Sequence, residues 1–152
     1  MAKVPRTMRA AAEQVYAILA DGWTYSDWVV GTAQFRDVDA SWPQPGSRLH
    51  HKVGPWPLSI NDTSTVTALT PRRGIALRAG IWPLGEATVR ITLELTNAGE
   101  TRVTMYEDFR ASSLHWFKNK INDLALYRRN VEALRRLAEL AEHSRHTSRS
   151  GP

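Results

Sequence analysis

Residues 87–95 read ATVRITLEL and, after a short NAGE break, residues 101–109 read TRVTMYEDF. Ala87, Val89, Ile91, Leu93 and Leu95 share one face of an extended chain; Thr88, Arg90, Thr92 and Glu94 share the other. Neighbouring side chains on a strand point to opposite faces, so this pattern demands an antiparallel strand with one buried side and one wet side. The NAGE break makes the second run its hairpin partner.

Period two extends backwards from this hairpin. Strands are expected at 32–39, 47–53, 58–69 and 74–81, punctuated by PQPG, GP, TPRRG and WPLG. A short β segment opens the chain. A helix then follows from Ala11 to Ala20, with Val15, Ile18 and Leu19 as its apolar stripe. Asp21-Gly22 ends it, where glycine offers a permissive C-terminal conformation. WTYSDWVVG makes a short second helix, opened by Thr24 or Ser26 and closed by Gly31. From about Leu114 the spacing turns helical again: Phe117, Ile121, Leu124, Tyr127, Val131, Leu134, Ala138 and Ala141 recur at three or four. This order predicts an α+β fold in which about six or seven strands wrap a long C-terminal helix.

A chain of 152 residues is most simply one domain, placed here at 1–142. The absence of cysteine excludes disulfides, thiolate zinc sites and a cysteine nucleophile. No run approaches the ~20 apolar residues of a membrane span. The N-terminal apolar stretch is interrupted by Glu13 and Gln14, which makes it a folded helix and not a signal peptide, so a cytoplasmic protein is expected. The net charge is +5. Residues 1–127 carry 14 Lys and Arg against 12 Asp and Glu, whereas residues 128–152 carry 6 against 3. The excess therefore sits on the last helix and on residues 143–152, read as a disordered polar tail. Without a basic stripe interleaved with exposed aromatics, no nucleic-acid partner is expected.

Parity also sorts the polar residues. His50 and His51 are neighbours on a strand and point to opposite faces, so they are not a chelating pair. His51 travels with Leu49 and Val53, on the inner side; His50 travels with Arg48 and Lys52. In TRVTMYEDF, Glu107 shares the inner face with Val103, Met105 and Phe109. A buried carboxylate must be protonated, hydrogen-bonded or beside a wet cavity. No HExxH, GxGxxG, phosphate-loop or GxSxG pattern occurs, and no metal or cofactor is expected. Trp28, Trp56, Trp82 and Trp116, four of six tryptophans, lie at element ends or turns, where large rigid apolar surface suits a pocket mouth.

RAAAEQVYAILADGWTYSDWVVG, GSRLHHKVGPWPL, TPRRGIALRAGIWPLGEATVRITLEL and GETRVTMYED resemble the SRPBCC (START-like) superfamily, in its polyketide cyclase/dehydrase and lipid-transport branch. The resemblance covers about residues 3–142 and implies the helix-grip fold: seven curved antiparallel strands round the C-terminal helix, with a cavity between. It departs after Phe109, where ASSLHWFKNKIND places Trp116-Phe117 at the helix entrance to narrow or cap the pocket. It implies that His51 and Glu107 face the cavity. One expectation is a binder of a small hydrophobic or aromatic molecule, a lipid or polyketide-like metabolite, lined by Tyr16, Trp28, Trp56, Trp82, Met105, Trp116 and Tyr127. A second is a cyclase or dehydratase with His51 and Glu107 as acid and base. A third is an interaction protein using the basic helix face.

Overall fold

A computed structural model describes residues 1–30, 32–53, 60–81, 85–96, 99–111 and 120–149. β1 (Ala2–Met8) is followed by α1 (Ala12–Ala20), a 3-10 turn over Gly22–Thr24 and α2 (Tyr25–Trp28). Six strands come next: β2 (Thr32–Val38), β3 (Arg48–Val53), β4 (Ile60–Thr70), β5 (Gly74–Ile81), β6 (Gly85–Leu95) and β7 (Thr101–Ala111). α3 (Lys120–Arg149) closes the chain. The strands form one antiparallel sheet in the order β1-β7-β6-β5-β4-β3-β2. The first strand thus pairs with the last.

The β6–β7 hairpin is the most regular part, with Ala87 opposite Phe109, Val89 opposite Glu107 and Ile91 opposite Met105. Ala87, Ile91, Leu93, Val103 and Met105 are buried, as alternation requires. Leu95 shares their parity but is 71% exposed, because the strand runs past the edge of the core. Thr101 is buried at the other end of the turn, and its hydroxyl donates to the Ala10 carbonyl at 2.7 Å.

The inner face of the sheet and the two short helices share one core with α3, including Met8, Val15, Leu19, Val66, Leu134 and Leu137. α3 packs on β1, β7, α1 and α2. Its buried residues are Asn130, Ala133, Leu134, Leu137, Ala138 and Ala141, which recur at three and four. The expected stripe is corrected in its upper half: Leu124 is 51%, Tyr127 45% and Val131 38% exposed. Residues 143–149, expected as a disordered tail, continue α3. Among the described residues, no helix is long and apolar enough to cross a membrane.

The end of α1 also departs from expectation. Asp21 caps it in an extended conformation, and its carboxylate accepts from the Trp23 amide. Gly22 is needed for close packing: a Cβ there would lie 2.5 Å from Leu49 Cδ2 and 2.7 Å from Val38 Cγ1. That contact lets α2 turn down onto the sheet. Tyr25 and Trp28 are buried with ring centroids 4.7 Å apart, and the Tyr25 hydroxyl donates to the Leu19 carbonyl.

Candidate ligand-binding site

A cavity of about 130 Å³ lies among α2, strands β3 to β7 and α3. Leu49, Leu77, Ile91 and Met105 supply apolar lining, and His51, Ser64, Glu107, Arg129 and Asn130 supply polar lining. An apolar cavity of ~150 Å³ admits benzene, so the space is on the scale of one ring.

On the β7–α3 wall, the Glu107 side chain is only 2% exposed and ion-pairs with Arg129, whose side chain is 34% exposed. Arg129 Nη2 donates to Glu107 Oε1. Alternation places Glu107 inward on β7, and the first part of α3 brings Arg129 over it. The pair answers the question of how this carboxylate is buried: a cation from the helix compensates it. Glu107 Oε2, Asn130 Nδ2 and Trp28 Nε1 are buried without a hydrogen-bond partner among the described residues. Each such group costs about 1–3 kcal/mol relative to a bonded one. All three residues line this cavity.

On the β3–β4 wall, His51 Nε2 and the Ser64 hydroxyl are hydrogen-bonded at 2.9 Å, both residues being buried. Burial pushes the His51 imidazole below its ordinary value of 6.5; Asp62 opposes the shift, and Arg36 and His50 add to it. His51 is therefore neutral at neutral pH. Asp62 is its register partner on β4. A Cβ at Gly80 would collide with the Asp62 carboxylate, so glycine lets that carboxylate lie against β5. His50 faces away and pairs with Asp39 at 3.0 Å. Among the described residues, no three His, Asp or Glu side chains gather to hold a metal.

Of the residues expected to form the site, Trp28, His51, Met105 and Glu107 line the cavity. Tyr16 is half-buried against the core and is not in the described lining. Tyr127 is on the exposed side of α3, also outside that lining. Trp56, Trp82 and Trp116, with the Trp116-Phe117 cap, lie outside the described residues. Sequence reading missed Ser64, Arg129 and Asn130. Ser64 was within reach, since it shares parity with Val66, which is 1% exposed. Arg129 and Asn130 were findable only by running the spacing of Ala133, Leu134 and Leu137 back one turn.

A seven-stranded antiparallel sheet gripping a long C-terminal helix over a cavity defines the helix-grip scaffold of the SRPBCC superfamily. The chain belongs to the polyketide cyclase/dehydrase and lipid transport family, whose model matches residues 1–142. Its fold is similar to that of the Zhui aromatase/cyclase from Streptomyces sp. R1128, with TM-score 0.72, 19% identity and 92% of each chain covered. A crystal structure of a Nitrosomonas europaea protein gives TM-score 0.71 at 15% identity over 95% of each chain. The di-domain ARO/CYC BexL from the BE-7585A biosynthetic pathway gives 0.71 at 20% identity, covering 93% of this chain and 46% of that one. No curated protein is significantly similar to the chain in sequence.

Proposed function

We propose that the chain binds a small hydrophobic or aromatic molecule, of lipid or polyketide-like origin, in the cavity beneath α3. The observation that carries this is the lining itself: apolar side chains from β3 to β7 with a few convergent polar groups. Such an arrangement buries most of a small ligand and fixes its orientation. The small-molecule reading also takes the chain as a cytoplasmic protein without a nucleic-acid partner, in keeping with a net charge of only +2 over residues 1–127 and +3 over residues 128–152. Thermal melting with 4-methylphenol, a one-ring probe, tests the binding. The melting temperature should rise for the native chain, and Ala133→Leu, which fills the lining at α3, should abolish the rise. An equal rise in both would place the binding elsewhere.

Proton transfer by His51 and Glu107 is a second reading, favoured by one observation. Burial keeps His51 in the neutral form that accepts a proton. Glu107, ion-paired with Arg129, suits the role of anchor or base better than that of acid. Conversion of a bound ketone should be lost in His51→Ala. Unchanged turnover in both His51→Ala and Glu107→Gln would remove this reading.

A further inference from the structure

The polar groups of the cavity differ in what they leave over. Glu107 Oε2 is an acceptor, and Asn130 Nδ2 and Trp28 Nε1 are donors; none has a hydrogen-bond partner among the described residues. Their residues are at most 2% exposed and all line one cavity. Native interiors rarely leave such groups unmet, and three of them lining one cavity call for an explanation.

Resting on the binding reading above, we propose that the molecule held here is uncharged and about one ring in size. It carries a hydrogen-bond acceptor, such as a carbonyl, together with a hydroxyl or N–H donor. The donor of the ligand goes to Glu107 Oε2 and its acceptor to Asn130 and Trp28, after side-chain rotations of the kind that accompany binding. Three properties exclude the other classes.

A carboxylate ligand would bring a second negative charge to a buried wall where Glu107 already engages Arg129. The ion pair is internally neutral, so the added charge would be uncompensated in a low-dielectric site. A cation would face the two N–H donors. A long acyl chain would set methylenes against all three unmet groups. Polarity therefore selects against fatty acids and for a compact hydroxy-ketone type of molecule.

The test is a calorimetric titration panel on the full chain. The probes are 3-hydroxyacetophenone, ethylbenzene of similar shape, the anion 3-acetylbenzoate, and laurate. 3-Hydroxyacetophenone should bind at least about tenfold more tightly than each of the others, the scale set by one or two buried hydrogen bonds. Trp28→Phe and Asn130→Leu each remove an N–H, the first with a loss of side-chain volume. Each should lower the preference for 3-hydroxyacetophenone over ethylbenzene about tenfold, a ratio in which the change in space cancels. If ethylbenzene binds as well, water or rearranged side chains satisfy the wall and the inference falls, while the binding reading stands. Tighter binding of laurate or 3-acetylbenzoate overturns the ligand class in the same way. If no probe binds, the inference falls, and 4-methylphenol melting decides separately whether the binding reading falls with it.

Discussion

The two polar walls of the cavity handle burial by different means. At β3–β4, His51 loses its charge: burial favours the neutral ring, and the Ser64 hydroxyl lies 2.9 Å from Nε2. At β7–α3, Glu107 keeps a compensating cation, Arg129, while among the described residues its Oε2 and the Asn130 Nδ2 have no hydrogen-bond partner. The first wall is cheap to maintain in water-free surroundings and sensitive to pH. The second is costly and depends on one partner from a helix. The lesson is that hydrophobic context alone does not set the fate of an inward polar residue; what the facing element contributes does.

The largest effect should come from breaking the charged wall. Arg129→Met strands a carboxylate that is 2% exposed and should cost about 3 kcal/mol in chemical denaturation. This lies at the low end for buried pairs, because Arg129 is a third exposed. Replacing both partners, Glu107→Leu with Arg129→Met, should recover most of that loss. Next comes Ser64→Ala, which removes the hydroxyl bonded to His51 and should cost about 1–2 kcal/mol with an unchanged denaturant slope.

The neutral wall should be revealed by acid. The folded chain holds His51 below 6.5, so as pH falls the unfolded chain takes up the proton first. The contribution is whole above about 6.5 and is lost as pH drops through that value toward the folded one. Denaturation midpoints should fall from pH 7 to pH 5 in the native chain, and His51→Gln should flatten the profile. The smallest effect belongs to the outer side of α3. Glu132 is held down to about 2 by hydrogen bonds from Arg135 and Arg136, yet all are solvent-screened. Arg135→Ala should leave the midpoint unresolved from the native one.

Much of the sheet was legible because strand parity is a strict rule. Alternation in ATVRITLEL and TRVTMYEDF located the β6–β7 hairpin and placed Glu107 inward, and alternation in RLHHKV placed His51 inward, before any contact was known. The helix was harder. Below Ala133 its buried residues are apolar and obey the spacing rule. Above it, Asn130 is buried and Arg129 lines the cavity, while Leu124, Tyr127 and Val131 face outward. A hydrophobicity pattern reads that inversion the wrong way round, because this stretch of helix covers a polar wall and not the core. The Gly22 contact was hidden for a related reason: it depends on Leu49 and Val38, which come from other elements.

Native mass spectrometry, on the protein as purified and after incubation with 3-hydroxyacetophenone, tests the central claim most directly. The account predicts one small molecule per chain in the second sample at least, lost on denaturation and lost in Ala133→Leu. A bare chain in both samples would contradict it.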